Sequence, residues 1–71
     1  MVKATRVTND IRELRTARGI TQAELASTVG VTRQTIIAIE QGRYSPSLEM
    51  AFLIARALGT RLDEVFAYPA D

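Results

Sequence analysis

The sequence predicts an all-α fold in which five short helices form a compact bundle. Each of the four glycines follows a segment whose apolar residues recur every three or four positions, and a left-handed glycine commonly ends a helix. Residues that cap helix starts precede the segments, and apolar residues do not alternate with polar ones as in strands. The glycines are Gly19, Gly30, Gly42 and Gly59, and the caps are Thr8 or Asn9, Thr21, Thr32 and Ser47.

The elements follow in chain order from local signals. Thr21 and Glu24 have the spacing of a capping box at the start of the second helix. Pro46 restricts Ser45 to extended geometry, so residues 42–46 are predicted to form a loop. Ile20 and Val31 are predicted to fill gaps between the helices that they join. The residues expected to face the core are Val7, Ile11, Leu14, Leu25, Ala26, Val29, Ile36, Ile39, Leu48, Ala51, Ile54, Ala55, Leu58, Leu62, Val65 and Phe66.

Length and composition limit the possible functions. The 71 residues allow a single domain over residues 1–71 with its core at about 6–66, and a core of this size supplies only about 3–5 kcal/mol. With no cysteine and no histidine, we expect no enzyme, no catalytic residues, no metal and no cofactor. The chain has neither an 18-residue apolar run nor a leader, so we expect a cytoplasmic protein without membrane contact.

The charges are distributed unevenly along the chain, although the net charge is only +1. Residues 1–45 carry seven basic and four acidic side chains, net +3, whereas residues 46–71 carry two basic and four acidic ones, net −2. Such an asymmetry would allow the basic half to face a polyanion while the acidic half is kept away from it. Chance variation in so short a chain is an equally weighted explanation of the asymmetry.

The third helical segment turns an unusually neutral face away from the core. With Ile36, Ile39 and Glu40 inward, a helical wheel places Gln34, Ala38 and Gln41 outward, flanked by Thr35 and Ile37. Glutamine can bond adenine in a bidentate pair, alanine and threonine methyls suit the thymine methyl, and Arg33 can reach guanine or a phosphate. The alternative is that the glutamines only solvate an exposed helix. Two short helices joined at Gly30 favour the helix-turn-helix interpretation.

The segment TQAELASTVGVTRQTIIAIEQGRYSPSLEMAFLIARALG resembles the Cro/cI-type helix-turn-helix family, also called Xre, which includes lambdoid phage repressors. The resemblance covers about residues 6–66 and rests on QAELA, GVTRQTI, IEQGR and PSL at the family's spacing. It implies that Gln22 contacts a backbone phosphate of DNA, and that Gln41 and Arg43 also contact phosphates. The residues that it implies contact bases or neighbouring phosphates are Arg33, Gln34, Thr35 and Ala38. At the position of Gln41 the family often has asparagine.

The resemblance also implies an ion pair between Arg15 and Glu40, which ties the first helix to the third. Since Glu40 falls on the inward side of the wheel, it needs a partner. We further expect a symmetric homodimer, because Met50 and Leu53 lie outside the apolar face of the fourth helix and can join Phe66 and Tyr68 in one patch.

These observations predict a sequence-specific regulator of transcription, of the repressor type, which binds double-stranded DNA through the third helix. Its expected partners are double-stranded DNA and a second copy of the chain, with no small-molecule ligand. The rival hypothesis keeps the fold but makes it a protein-interaction adaptor or antitoxin-type subunit, which the weak net charge favours slightly.

Overall fold

The computed structural model describes residues 5–70. Within this range the chain forms five helices and two short strands. In chain order they are β1 (Thr8–Asn9), α1 (Ile11–Ala17), α2 (Gln22–Val29), α3 (Arg33–Glu40), α4 (Leu48–Ala57), α5 (Leu62–Val65) and β2 (Phe66–Ala67). The predicted all-α bundle is therefore confirmed in its helices. None of the described helices is long and apolar enough to cross a membrane.

The predicted helix starts are confirmed for the three central helices. The side chains of Thr21, Thr32 and Ser47 each accept a hydrogen bond from the backbone N–H three residues later, and Thr21 forms the capping box with Glu24. The start of α1 differs from the prediction, because Asp10 is its cap residue and makes no side-chain capping bond.

The expectation that the chain contains no strand is wrong. Thr8 pairs with Ala67 and Asn9 with Phe66 in an antiparallel ladder, and the N–H of Asp10 donates to the carbonyl of Val65 at 2.9 Å. Two residues per strand are too few to show an alternating pattern, and their partners lie at opposite ends of the chain. The pairing closes the bundle by joining the segment before α1 to the segment after α5.

The core gathers apolar residues from all five helices. The fully buried large side chains are Ile11, Leu25, Ile36, Ile39, Ile54, Leu58 and Val65. Ile20 and Val31, in the connections, pack against this core as predicted. Leu48 was also predicted to face the core, but it is 68% exposed. Its position at the start of α4 lies about 70° around the helix axis from the middle of the buried side of α4.

Candidate nucleic-acid interface

The turn between α2 and α3 fixes the direction of α3. Gly30 takes the left-handed conformation with φ of 81°, and the N–H groups of Gly30 and Val31 both donate to the carbonyl of Ala26, at 2.9 and 3.0 Å. Two residues later Thr32 caps α3 through the N–H of Thr35. Burial of Ile36 and Ile39 then holds one side of α3 against the core. The opposite side of the helix is left facing outward.

The outward side of α3 carries the neutral residues that the wheel predicted. Arg33, Gln34 and Gln41 are exposed, whereas Thr35 and Ala38 are half-buried. The hydroxyl of Thr35 is engaged with that of Thr32, with the two oxygens 3.1 Å apart. Half-burial of these two small side chains leaves the longer Arg33 and Gln34 as the prominent groups of this surface.

The one carboxylate of α3, on Glu40, is turned inward and neutralised. Arg15 Nε lies 2.9 Å from Glu40 Oε2, and the two side chains are only 12% and 7% exposed. Arg15 Nη1 also donates to the carbonyl of Ile20 at 3.1 Å. The ion pair implied by the family resemblance is therefore formed, and it fastens α1 and the α1–α2 connection to the last turn of α3. It also removes a negative charge from the outward face.

Gln22 belongs to the same network, which sequence reasoning did not foresee. Its Nε2 donates to Glu40 Oε1 at 3.1 Å. Because an ionised carboxylate only accepts hydrogen bonds, the amide nitrogen of Gln22 must face Glu40. This leaves the second N–H of that nitrogen and the carbonyl oxygen for other partners, so the phosphate contact of Gln22 remains a prediction.

The exit of α3 fixes the main chain of Arg43. Gly42 is buried with φ of 73°, its N–H donates to the carbonyl of Ile39 at 3.1 Å, and the N–H of Arg43 donates to Ala38 at 3.0 Å. These two bonds form a Schellman motif. The exposed Arg43 side chain therefore starts from a fixed point just beyond the helix, as an anchoring cation requires.

An open cleft of about 740 Å³ lies between α1, α2 and α3. It brings together three of the predicted site residues, Gln22, Arg33 and Gln41, with the ion pair in its wall. Arg12 also lines it and was not predicted, although its place one turn before Arg15 on α1 was a usable signal. Gln34, Thr35, Ala38 and Arg43 lie outside the cleft, on the outer face and exit of α3. The cleft is suited to an anion, since Arg12 and Arg33 are both exposed.

No group of three or more acidic side chains that could hold a metal ion occurs among the described residues. A basic cleft beside a capped, neutral and outward-facing helix is the arrangement of a helix-turn-helix domain.

A helix-turn-helix family model matches residues 11–65, and the chain belongs to this family. It is similar to an HTH-type transcriptional regulator of Methanothermobacter thermautotrophicus, 60% identical over 62 residues that cover 86% of this chain and 90% of that protein. It is also 38% identical over 55 residues to the cryptic phage CTXphi transcriptional repressor of Vibrio cholerae, covering 78% of this chain and 50% of that protein.

Solved structures agree with this family. A restriction-modification controller protein from Aeromonas hydrophila superimposes with a TM-score of 0.72 and 37% identity, over 76% of this chain and 78% of that one. The resemblance to Cro/cI-type proteins stated from the sequence is thus confirmed.

Proposed function

We propose that this protein is a sequence-specific transcriptional repressor that binds double-stranded DNA by inserting α3 into the major groove. The observation that carries the proposal is the burial of Glu40 against Arg15 at 2.9 Å, which leaves no carboxylate on the outer face of α3, where Arg33 and Gln34 are exposed. A helix that reads bases must present hydrogen-bonding groups without repelling phosphate. The names of similar proteins, regulators and a phage repressor, support the same role.

Base reading is assigned to the outer face of α3. Gln34 is exposed on that face and has the donor and acceptor needed for a bidentate bond to adenine. Arg33 can reach a guanine edge or the adjacent phosphate, while the methyl groups of Thr35 and Ala38 suit thymine. We expect these four residues to carry the sequence preference.

Backbone anchoring is assigned to the residues around the cleft and at the helix exit. Gln22 stands at the first position of α2, where free main-chain N–H groups favour an anion, and its spare N–H can reach the same phosphate. Phosphate contacts are also assigned to Gln41 and Arg43 at the exit of α3 and to Arg12 on α1. These contacts hold the protein on DNA without selecting a sequence.

The protein is further proposed to act in the cytoplasm as a homodimer, with no cofactor and no catalytic step. A twofold axis would present two copies of α3 to half-sites about 34 Å apart on one face of B-DNA. The small core supports this proposal, since a second subunit adds buried apolar surface.

Fluorescence anisotropy with mixed-sequence duplexes tests DNA binding directly. We expect binding at low salt and a loss of about 10³-fold or more between 50 and 200 mM salt if six or more phosphates are engaged. Arg61→Ala is the matched control, because Arg61 is exposed and lies outside both the cleft and α3. Failure to bind any duplex at low salt would overturn the proposal and favour the protein-interaction adaptor.

A further inference from the structure

The loop that follows α3 carries an exposed aromatic side chain, Tyr44, which the proposed DNA contacts do not include. Tyr44 is 47% exposed, and its hydroxyl makes no hydrogen bond within residues 5–70. A single exposed aromatic ring on a protein surface needs no explanation by itself. The position of Tyr44 directly after Arg43, a proposed phosphate contact, indicates a function for the ring.

The main chain is held in place on both sides of Tyr44. On one side, the Schellman motif that ends α3 fixes the main chain of Arg43. On the other side, Pro46 is half-buried, and the hydroxyl of Ser47 caps α4 by accepting from the N–H of Met50 at 3.1 Å. The Cα atom of Tyr44 therefore lies about 3.8 Å from that of a fixed anchoring residue. Because the backbone is already ordered, a contact made by Tyr44 costs little beyond the ordering of its side chain.

The loop around Tyr44 carries no charge that would repel a polyanion. Within residues 41–48 the only charged side chain is that of Arg43, and the first carboxylate after the loop belongs to Glu49. The loop directly follows α3, which exposes no carboxylate because Glu40 is buried in its ion pair. The outer face of α3 and the loop after it therefore offer a DNA backbone a segment without an exposed acidic group.

Tyrosine has the two chemical properties that suit contact with the backbone of DNA. Its ring is an apolar face that can pack against a deoxyribose, and its hydroxyl can donate a hydrogen bond to a phosphate oxygen. Because the side chain is neutral, such a contact releases no counterion, and because it involves only sugar and phosphate, it selects no base. It therefore differs measurably from the contact of an arginine.

We propose that Tyr44 is a further DNA-contacting residue, which binds the sugar–phosphate backbone next to the phosphate bound by Arg43. The hydroxyl of Tyr44 donates to a phosphate oxygen, and its ring covers the neighbouring deoxyribose. This contact extends the backbone anchor from the exit of α3 into the α3–α4 loop and adds affinity for every sequence. The inference rests on the proposed function, because it requires DNA to lie along α3.

The second tyrosine, Tyr68, has a different setting. It follows β2, is 66% exposed, and has the guanidinium of Arg6 5.5 Å from the centre of its ring. The residues predicted to join it in a dimer patch are half-buried against the core: Met50, Leu53 and Phe66. Since the chain has two tyrosines and no tryptophan, replacing either tyrosine leaves a protein with a single emitting side chain.

Tyrosine emission tests the contact directly. In Tyr68→Phe the only emitter is Tyr44, whose emission should change as a duplex is added and should saturate together with the fluorescence anisotropy of a labelled duplex. In Tyr44→Phe the only emitter is Tyr68, whose emission should fall only by the light that the DNA absorbs, so this protein is the matched control. Emission of Tyr44 that merely follows the control would overturn the proposal.

Affinity measurements separate the hydroxyl from the ring. Tyr44→Phe should weaken binding to all duplexes by about 2- to 10-fold, because one hydrogen bond is lost. Tyr44→Ala removes the ring as well and should weaken binding further. Circular dichroism should show wild-type helicity for both variants.

The salt dependence distinguishes Tyr44 from its neighbour. Both Tyr44 variants should keep the wild-type slope of log affinity against log salt, whereas Arg43→Ala should lower it, because only the charged side chain releases a counterion. A lower slope in Tyr44→Phe would overturn the proposal, as would wild-type affinity of that variant.

The behaviour of the wild type separates this inference from the proposed function. Salt-dependent binding of the wild type, without any response of Tyr44, would overturn the inference and leave the proposed function intact. Absence of binding to every duplex at low salt would overturn both.

Discussion

The side-chain amide of Asn9 donates a hydrogen bond of 2.9 Å to the main-chain carbonyl of Ile39, 30 residues further along the chain. The same side chain accepts from the N–H of Ile11 through its Oδ1, at 3.2 Å. Asn9 thereby joins β1, the start of α1 and the last turn of α3. Together with the Arg15–Glu40 ion pair, it gives the carboxyl end of α3 two independent attachments to the rest of the bundle.

Asn9→Ala should lower the free energy of unfolding by about 1–3 kcal/mol, because it removes two side-chain hydrogen bonds that contribute about 0.5–1.5 kcal/mol each. Urea denaturation followed by circular dichroism measures the change. Thr8→Ala is the neighbouring control, because its hydroxyl makes only an exposed bond of 3.3 Å to Ala67. Equal midpoints for Asn9→Ala and the wild type would show that the amide does not hold α3.

Arg15→Met should leave most molecules unfolded at room temperature. Removing one member of a buried ion pair costs about 3–5 kcal/mol, which equals the whole stability expected of so small a core. Arg61→Ala breaks an ion pair that is 79% and 70% exposed, and should cost about 0–1 kcal/mol. Thermal denaturation compares the two variants.

Arg15→Met/Glu40→Leu should recover much of the lost stability, because no unpaired carboxylate then remains in the interior. Similar melting temperatures for Arg15→Met and Arg61→Ala would contradict the assigned role of the buried pair.

Gln34→Ala should reduce discrimination at one or two base pairs of the operator by about 1–3 kcal/mol, since a bidentate contact to a base is lost. The measurement is binding to a panel of duplexes, each with one base pair changed, after the preferred sequence has been selected from a random pool. Folding should not change, because Gln34 is exposed on α3. Preserved discrimination at every position would remove Gln34 from the reading surface.

Arg43→Ala should weaken binding to all duplexes by a similar factor and lower the slope of log affinity against log salt by about 1. The Schellman bonds at the end of α3 involve the main chain of Arg43, so the substitution leaves the helix exit intact. A loss confined to particular sequences would mean that Arg43 reads bases instead of anchoring the backbone.

Stability should fall in acid partly through Glu24. Hydrogen bonds from the backbone N–H and the hydroxyl of Thr21 lower the pKa of Glu24 below its ordinary value of 4.5. A carboxyl group whose pKa is lower in the folded state than in the unfolded state stabilises the fold at pH values above the unfolded-state pKa. This contribution disappears as the pH falls through the folded-state pKa.

Glu24→Gln can keep the capping box but carries no charge, so it should melt below the wild type at neutral pH. The difference should shrink as the pH falls below 4.5, where the wild-type carboxyl group is protonated as well. Glu13→Gln, an exposed carboxylate on α1, serves as the control. Identical pH profiles for Glu24→Gln and the wild type would contradict this account.

Local sequence determined the helices and the direction of their faces. Capping side chains at Thr21, Thr32 and Ser47 and left-handed glycines act within one turn, and apolar periodicity separates the buried side of α3 from Gln34. The need of an inward carboxylate for a partner, together with the family resemblance, identified Arg15 and Glu40 as an ion pair from the sequence alone.

Only the tertiary structure decided the contacts that join distant segments. The β1–β2 ladder, the bond from Asn9 to Ile39 and the turning of Gln22 toward Glu40 depend on chain ends and helices meeting in space. The exposure of Leu48, a residue expected in the core, likewise depends on the tertiary structure, because no other segment of the described chain covers this end of α4. Periodicity gives the direction of a side chain around its helix, whereas burial depends on what the rest of the fold places there.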